Sequence, residues 1–294
     1  MSRFASENHA SQGVTAASAS LPFTLPGPAW PGVSIFVTTR LGGVSSAPFT
    51  SWNLGDHVGD DPARVAENRQ RLAVLLPAAP LWLQQVHGTD VVDADAGADA
   101  DVNANVADTG LDAAAGQAPC GDAAMTRTPG KVLAIMTADC LPVVLAACDG
   151  SVLAMAHAGW RGLAAGVLER TVEAMGSHGK RMPLRAWIGP AIGPTAFEVG
   201  SEVRTAFLAD DPGAASCFQP GAAVHKWMAD LPGLARRRLR RAGVQDVTLS
   251  GHCTVTDSEH FFSYRRDGQT GRFATLAWLN GPTDARLPLR PRDR

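Results

Sequence analysis

Two apolar runs separated by Asp149-Gly150 constrain the fold of this 294-residue chain more than any other feature. The first run extends from Val143 to Cys148, and the second extends from Ser151 to Ala156. An Asp-Gly pair between such runs predicts a β-hairpin, because both residues of its tight turn must accept positive φ. We therefore expect two antiparallel strands with Cys148 opposite Ser151.

Counting outward from this turn places Pro142 opposite His157. Cys140 then lies diagonal to His157 on the same face of the sheet, because side chains alternate with a period of two. A thiolate and an imidazole at that spacing can bind one metal ion or form a nucleophile–base pair. Pro142 cannot donate a hydrogen bond to the ladder, so an earlier end of the strand is the alternative.

The composition is that of an ordinary soluble globular protein, with 45% apolar and 18% charged residues. A net charge of −2 provides no basic field for nucleic acid. No apolar run approaches the roughly 20 residues that span a bilayer, and the N-terminus lacks a signal-peptide pattern. The five cysteines are irregularly spaced, unlike a disulfide framework. We therefore expect a reduced, cytoplasmic, monomeric protein that binds neither nucleic acid nor membrane.

Helical and strand patterns alternate along the whole chain, which favours one α/β domain over two. We predict this domain over residues 27–281, with a disordered tail over 1–26 and a loose tail over 282–294. Residues 93–121 are rich in Ala, Asp, Gly and Asn, which predicts a flexible surface loop. Strands are expected at 32–39, 81–86, 131–138, 184–188, 247–249, 261–264 and 273–279, and helices at 63–75, 163–176, 201–208 and 224–241.

Three residues that can bind a metal ion stand at predicted strand ends: His87, Cys140 and His157. Three protein ligands with an open fourth position describe a catalytic zinc site. Zinc in such a site lowers the pKa of its water to about 7 and polarises substrate oxygens. A buried cysteine with two hydrogen-bonded histidines is the alternative from spacing alone. A fourth ligand from His252 or Cys253 would instead close the site and make it structural.

Two glycine-rich turns are candidate anion sites. The segment Gly159-Trp160-Arg161-Gly162 follows a strand and opens a helix, so its backbone N–H groups and Arg161 can bind phosphate. In the other turn, Arg40 precedes Gly42-Gly43. Turn glycines beside solvated arginines are the alternative for both segments. Trp160 is a candidate stacking surface for a flat base, or a core residue.

Three further features carry less specific signals. Asp139 is a candidate partner that orients a metal ligand, or a turn cap. His57 lies in a polar loop, where a lone histidine is most often solvated. Residues 261–266, with the sequence Phe-Phe-Ser-Tyr-Arg-Arg, offer aromatic faces beside cations. This segment fits either the wall of a nucleobase site or an ordinary strand.

Several motifs taken together are more specific than any one of them. They are Thr39-Arg40 with Gly42-Gly43, Asn53-Leu54, Asn68-Arg69, Gln85-Val86-His87-Gly88, Thr137–Pro142, Ala156–Gly162, Ile188-Gly189-Pro190, Phe197-Glu198-Val199 and Phe262–Asp267. These motifs resemble the bacterial purine nucleoside phosphorylase family, whose members are also described as laccase-like polyphenol oxidases. The resemblance covers about residues 33–280.

This resemblance implies a single α/β domain with mixed β-sheets sandwiched between helices. It also implies a zinc ion held by His87, Cys140 and His157, with a purine nucleoside and phosphate as substrates. The implied reactions are phosphorolysis of adenosine, inosine, guanosine and methylthioadenosine (a transferase reaction) and deamination of adenosine (a hydrolase reaction). Arg40 and His57 fall in segments that resemble the anion- and substrate-facing loops of the family. The predicted catalytic residues are Cys140, His157 and Arg40, and the predicted substrate- and phosphate-binding residues are Arg40, His57, Asp139, Trp160 and Arg161.

Two other activities remain open at this point. Imidazole also binds copper, but eight histidines without a His-x-His pair do not suit a multicopper polyphenol oxidase. Copper would then be adventitious. The hairpin geometry equally fits a cysteine hydrolase in which Cys140 attacks and His157 is the base, for instance on an amide of cell-wall precursors.

Overall fold

Thirteen strands and six α-helices lie within residues 23–96, 118–176 and 182–281, which the computed structural model describes. The strands are β1 (Thr24–Pro26), β2 (Val33–Thr38), β3 (Val91–Asp93), β4 (Ala123–Thr126), β5 (Leu133–Thr137), β6 (Leu141–Ala147), β7 (Leu153–Ala158), β8 (Leu184–Ile188), β9 (Glu198–Gly200), β10 (Phe218–Pro220), β11 (Lys226–Ala229), β12 (Asp246–Leu249) and β13 (Phe273–Leu279). The helices are α1 (Pro62–Ala73), α2 (Trp160–Ala165), α3 (Val167–Gly176), α4 (Ser201–Asp210), α5 (Leu231–Arg241) and α6 (Tyr264–Asp267).

The predicted hairpin is formed by β6 and β7, and the register places Pro142 opposite His157. Strand β6 includes Pro142, although proline has no N–H to donate. The N–H of His157 points away from Pro142 and donates to the backbone oxygen of Asp122 at 2.6 Å. Pro142 and His157 therefore form a pair that needs no backbone donor from the proline. In the turn, the expected positive φ occurs at Gly150, with 75°, but not at Asp149; the Asp149 carboxylate accepts the N–H of Ser151 instead.

The hairpin lies at the centre of a six-stranded mixed sheet with the order β12-β8-β6-β7-β4-β3. Only the two outer pairs, β12 with β8 and β3 with β4, are parallel. Both faces of β6 are buried, which explains its continuous apolar sequence. Val143 and Leu145 face the helices on one side, and Val144 and Ala146 face a second sheet on the other.

The second sheet is antiparallel and has the order β1-β2-β13-β5. One face packs against the six-stranded sheet through residues such as Val37 and Ile135. The opposite face packs against α1 through Leu72, together with Phe36 and Met136. The layers thus run from α1 through two sheets to α2–α5, and a small third sheet has the order β10-β11-β9. This arrangement confirms the single α/β domain with mixed sheets between helices.

The strand predicted at residues 81–86 is wrong. Leu81 and Gln84 form only isolated bridges, with Leu133 and Cys120 respectively. The Gln85 side chain instead donates to the backbone oxygen of Met136 at 2.8 Å and accepts its N–H at 2.9 Å. A side-chain amide therefore fastens this segment to β5 in place of a backbone ladder.

The single helix predicted at 224–241 is also wrong in its first part, where β11 forms. Helix α5 begins only at Leu231, because the Asp230 carboxylate accepts the N–H of Gly233 at 2.9 Å and a proline occupies the first turn. The helix predicted at 163–176 divides into α2 and α3 at Gly166, whose φ of 99° breaks the helix.

The strand predicted at 261–264 is absent. Phe261 and Phe262 are fully buried core residues, and Ser263 then caps α6 by accepting the N–H of Arg266 at 3.2 Å. A short apolar run does not distinguish a buried strand from a buried loop.

Within the range predicted as the N-terminal tail, Thr24–Pro26 form β1 and pair with β2. Residues 1–22, 282–294 and most of the predicted loop, 97–117, lie outside the described residues. Among the helices of the described ranges, none combines the length and the apolar character needed to cross a bilayer.

Candidate metal centre

The three predicted metal ligands converge. The ligand atoms of His87, Cys140 and His157 all lie within 4.8 Å of one another. Cys140 Sγ lies 3.8 Å from His87 Nε2, and the centroids of the two imidazole rings are 4.7 Å apart, edge to face. The 3.8 Å between sulfur and nitrogen is compatible with metal–ligand bonds of about 2.0–2.3 Å. The group can therefore hold one metal ion.

The hairpin brings Cys140 and His157 together. Cys140 immediately precedes β6, and His157 is the penultimate residue of β7. Since Pro142 lies opposite His157, the cysteine reaches the histidine along a diagonal of the sheet. His157 is buried, whereas Cys140 is partly accessible. The sequence predicted this pair correctly because the strand period and the turn alone fix their register.

His87 reaches the group from a loop, not from a strand end. Its φ of 61° is unusual for a residue with a side chain, and such left-handed backbone costs of order 1–3 kcal/mol. Three consecutive backbone N–H groups stabilise this conformation by donating to the Asp122 carboxylate. The distances are 3.2 Å from Val86, 2.9 Å from His87 and 2.6 Å from Gly88. The imidazole itself is exposed, so the ligand group is accessible from outside.

The same carboxylate orients His157. Asp122 is completely buried, and its Oδ1 lies 2.8 Å from His157 Nδ1. Burial tends to raise the pKa of Asp122, but the hydrogen bonds from His157 and Gly88 outweigh burial and lower that pKa. Sequence reasoning missed Asp122 because it stands at the end of an Asp- and Ala-rich stretch that resembles a surface loop. No local pattern in the sequence marks it.

The local electrostatics favour the metal-binding form of the cysteine. Burial tends to raise the pKa of Cys140, but the hydrogen bonds with His157 and His87 outweigh it and lower that pKa. Burial likewise tends to lower the pKa of His157, yet Asp122 and Cys140 together raise it. Both shifts favour the thiolate form of Cys140 and the protonated form of His157. The thiolate is the form of cysteine that binds metals and attacks electrophiles.

Gly159 allows the close packing of the ligand group. A Cβ atom at this position would lie 2.7 Å from His87 Cδ2 and 2.9 Å from Cys140 Sγ. The φ of Gly159 is −67°, which any residue can adopt. Glycine is required here because His87 and Cys140 lie so close to its Cα.

A cavity of about 390 Å³ opens onto the three ligands. Its wall is mostly apolar and includes the aromatic rings of Trp160, Phe197 and Tyr264, while Arg265 and Arg272 supply positive charge. An apolar pocket with a few convergent polar groups is typical of a small-molecule site. The arrangement can thus hold a flat apolar ring system and an anion beside a metal ion.

The two arginines of the wall are anchored differently. Arg265 donates to the backbone oxygen of Glu198 at 2.8 Å and lies 5.3 Å from the ring centroid of Phe197. Arg272 donates through Nη1 to the backbone oxygens of Thr270 and Gly271, and burial lowers its pKa. Its Nε and Nη2 groups make no hydrogen bond within the described residues, which leaves them available to an anion.

Three predicted substrate residues line the cavity: His57, Asp139 and Trp160. Burial, then the positive charge of Arg272, lowers the pKa of His57. The Asp139 carboxylate accepts the Thr254 hydroxyl at 2.6 Å and the N–H of Arg265 at 2.7 Å. Asp139 therefore holds the first residues of α6 beside the cavity through the N–H of Arg265, and it contacts none of the three metal-binding residues through these bonds.

The two arginines selected from the sequence do not line this cavity. Arg40 donates to the backbone oxygens of Thr50 and Ser258, and its guanidinium lies 4.9 Å from the ring centroid of Phe262. Arg161 is exposed and stacks on Trp160 at 4.4 Å from the ring centroid.

Arg265 and Arg272 supply the positive charge of the cavity in their place. The aromatic and basic composition of residues 261–266 was a signal for Arg265 and for Tyr264. Arg272 carried no comparable signal.

The candidates for a fourth protein ligand have other partners. His252 Nδ1 lies 3.5 Å from Asp257, and Cys253 Sγ accepts the N–H of Gly193 at 3.2 Å. Within the described ranges, the ligand group comprises His87, Cys140 and His157 alone.

A family model described as multi-copper polyphenol oxidoreductase laccase matches residues 34–280. The chain belongs to this family. The match spans the hairpin, all three ligands of the candidate metal centre and both cationic residues of the cavity wall. The part of the chain that matches the family model therefore contains all the residues that the fold brings together at the candidate metal centre.

Relatives of this laccase-family chain carry a different functional name. A purine nucleoside phosphorylase of Pseudomonas aeruginosa is 49% identical over 255 residues, which cover 86% of this chain and 97% of the relative. The purine nucleoside phosphorylase YfiH of Escherichia coli is 48% identical over 258 residues, with coverages of 86% and 97%. The crystal structure of a Neisseria meningitidis protein matches with a TM-score of 0.75 and 44% identity, and covers 88% of this chain and 98% of that one. The predicted family resemblance is confirmed.

Proposed function

We propose that this protein is a zinc-dependent purine nucleoside phosphorylase. The observation that carries the proposal is the convergence of His87, Cys140 and His157 on the wall of a cavity of about 390 Å³. The names of the two close relatives support nucleoside substrates. The aromatic and cationic groups of the wall match the two parts of the reaction, a flat base and phosphate.

The ligand set suits zinc. Two imidazoles and one thiolate within 4.8 Å of one another form a trio of the kind found in catalytic zinc sites, with a fourth position left to substrate. Zinc bound there supplies Lewis-acid polarisation of a substrate oxygen. Copper at the same ligands is the polyphenol oxidase alternative. Eight histidines in the whole chain provide too few for a multicopper centre, so we expect copper to bind only adventitiously.

In phosphorolysis, a phosphate oxygen bonds to C1′ of the ribose while the bond from C1′ to the purine nitrogen breaks. The electron pair of that bond remains on the purine, which takes up a proton, and ribose 1-phosphate is the second product. We assign phosphate binding to Arg272 and Arg265, because both residues line the cavity. Trp160 or Tyr264 would stack on the base. The assignments of Arg40 and Arg161 to phosphate and of His57 to substrate remain predictions.

Adenosine deamination is a second candidate, because His/Cys-ligated zinc is the metal centre of nucleobase deaminases. Those enzymes also use a carboxylate as acid and base. Asp139 is the one carboxylate that lines the cavity in the described residues. Both of its oxygens already accept hydrogen bonds. The geometry therefore favours phosphorolysis over deamination.

The thiolate–imidazolium pair of Cys140 and His157 supports a third candidate, a cysteine hydrolase that acts on an amide of cell-wall precursors. Trapping of Cys140 by an electrophilic substrate analogue, with turnover that survives a chelator, would favour this activity over zinc chemistry. Loss of turnover on chelation and its return with zinc would exclude it.

Turnover assays test the proposal directly. The zinc-loaded protein is incubated with adenosine, inosine, guanosine or methylthioadenosine, with and without phosphate. We expect free base and ribose 1-phosphate (or its methylthio analogue), only when phosphate is present, and no activity in Cys140→Ala or His157→Ala. Cys253→Ala and His252→Ala are the matched controls and should retain turnover. Zinc-loaded protein that converts none of the four nucleosides would overturn the proposal.

A further inference from the structure

Asp122 contacts two of the three metal-binding residues at once. It lies immediately before β4 and is completely buried. One carboxylate oxygen lies within hydrogen-bond distance of both His87 N, at 2.9 Å, and His157 Nδ1, at 2.8 Å. The other oxygen accepts the N–H groups of Gly88 at 2.6 Å and Val86 at 3.2 Å. A single buried side chain thus connects the loop of one ligand to the ring of another.

These contacts fix the imidazole of His157. Its Nδ1 faces the carboxylate, so Nδ1 carries the proton and Nε2 is left to bind a metal ion. The backbone of His157 is held as well, because its N–H donates to the backbone oxygen of Asp122 at 2.6 Å. Asp122 therefore contacts both the ring and the main chain of this ligand.

The contacts also fix His87. This residue has a left-handed φ of 61°, which a side-chain-bearing residue adopts only when its surroundings hold it there. The surroundings are the three consecutive N–H groups that converge on the carboxylate of Asp122. Without those acceptors, the loop would relax toward a more common conformation and carry His87 away from Cys140.

We infer that Asp122 is the positioning residue of the metal centre, setting both imidazole ligands through one buried carboxylate. The inference rests on the proposed metal site, but not on the identity of the substrate. Carboxylates that orient metal-bound histidines in this way typically govern metal affinity by 10–100-fold. Asp122 itself is not one of the three residues that would hold the ion.

Asp122→Asn tests the inference. The amide nitrogen of asparagine replaces one of the two acceptor oxygens, and as a donor it cannot accept the hydrogen bonds that this oxygen receives. Asp95→Asn is the matched control. Asp95 also accepts several hydrogen bonds, from the Thr126 hydroxyl at 2.8 Å and the Arg127 N–H at 2.6 Å, but it does not line the cavity. Zinc affinity is measured by competition with a chromophoric chelator, and the cobalt-substituted proteins are compared by absorption spectroscopy.

We expect Asp122→Asn to bind zinc about 10–100-fold more weakly and to show an altered cobalt spectrum, while Asp95→Asn matches the wild-type protein in both. Wild-type affinity and spectrum in Asp122→Asn would overturn the inference. If wild-type protein binds zinc at these ligands but shows no nucleoside turnover, the proposed function fails and the inference stands.

A measurement on the wild-type protein covers the case in which Asp122→Asn does not fold. Nitrogen-15 NMR of the zinc-loaded protein reports which ring nitrogen of His157 carries the proton. A proton on Nδ1 is the expected result, because that atom faces Asp122. A proton on Nε2, with zinc on Nδ1, would refute the inference.

Discussion

At the residue scale, the metal centre depends on contacts that leave no room for additional atoms. Gly159 lies directly against two of the ligands, and a Cβ atom there would approach His87 Cδ2 to 2.7 Å and Cys140 Sγ to 2.9 Å. Neither neighbour can move freely, because His87 is held by its loop and Cys140 by β6. The absence of a side chain at this position is therefore part of the ligand geometry.

Gly159→Ala should displace the ligands and lower the zinc content of the purified protein at least severalfold. Gly176→Ala is the matched control, since in the part of the chain that the structure describes no atom outside the immediate chain neighbours and the helix's own backbone lies within 4 Å of a Cβ built at that glycine. The zinc-to-protein ratio after dialysis against a dilute chelator gives the answer. Equal zinc content in the two variants would contradict the proposed packing.

A second prediction at this scale concerns acid stability. Burial tends to raise the pKa of Asp95, but hydrogen bonds from Arg127, Thr126 and Lys131 outweigh it and lower that pKa to about 2. The contribution to stability is therefore complete above the ordinary pKa of 3.8 and is lost as the pH falls toward 2.

Urea denaturation of wild-type and Asp95→Asn protein measures this effect. Because one pKa unit corresponds to about 1.4 kcal/mol, the difference in unfolding free energy should be about 2 kcal/mol at pH 5 and much smaller near pH 2.5. Taking the difference between the two proteins removes acid effects that both share. A difference independent of pH would rule out this role for Asp95.

At the scale of elements, the β6–β7 hairpin supplies both the core of the larger sheet and the site. Every residue of β6 and β7 is buried, and two ligands lie where the strands meet the cavity. Stability and metal binding therefore both depend on the β6–β7 hairpin. Weakening the apolar part of the hairpin should lower stability before it changes the ligands.

Leu145→Ala tests this division of roles. Leu145 is fully buried in β6, and removing such a side chain costs about 2–5 kcal/mol of unfolding free energy. Val74→Ala, at a position 82% exposed, should change stability by less than about 0.5 kcal/mol. Urea denaturation measures both variants, and zinc content should stay at the wild-type level. A loss below 1 kcal/mol for Leu145→Ala would contradict the packing of the hairpin.

The hairpin was predictable from the sequence, and the loop that completes the site was not. Turn residues and a period of two fix the register of β6 and β7, so Cys140 and His157 follow from local rules. The position of His87 depends on Asp122, which lies 35 residues away in sequence. No local pattern encodes such a contact. The prediction of a strand at 261–264 was wrong for a related reason. Phe261 and Phe262 are apolar because they are buried in the core, and not because they pair with another strand.

At the scale of the whole molecule, two sheets pack face to face between α1 and the helices α2–α5. The metal centre lies where β5 of one sheet and β6 of the other approach each other, with the Gln85 side chain joining the ligand loop to β5. A bound ion would therefore join the loop of His87 to the β6–β7 hairpin, and metal binding should stabilise the molecule as a whole.

Zinc should accordingly raise the melting temperature of the wild-type protein. A ligand at 100 times its dissociation constant adds about 2.7 kcal/mol, which corresponds to roughly 5–10 °C for a protein of this size. Differential scanning fluorimetry of metal-free protein with added zinc measures the shift. Cys140→Ala should show little or none, and an equal shift in both proteins would place zinc at other residues.

The coordination of the bound metal is the decisive test of the proposed zinc site. X-ray absorption at the zinc edge, combined with anomalous diffraction from crystals of the zinc-loaded protein, identifies the ion, its ligands and their distances. We predict one zinc ion with a sulfur from Cys140 at about 2.3 Å, two nitrogens from His87 and His157 at about 2.0–2.1 Å, and a fourth position open to the cavity. Zinc bound elsewhere, or held by a fourth protein ligand, would exclude this open three-residue site.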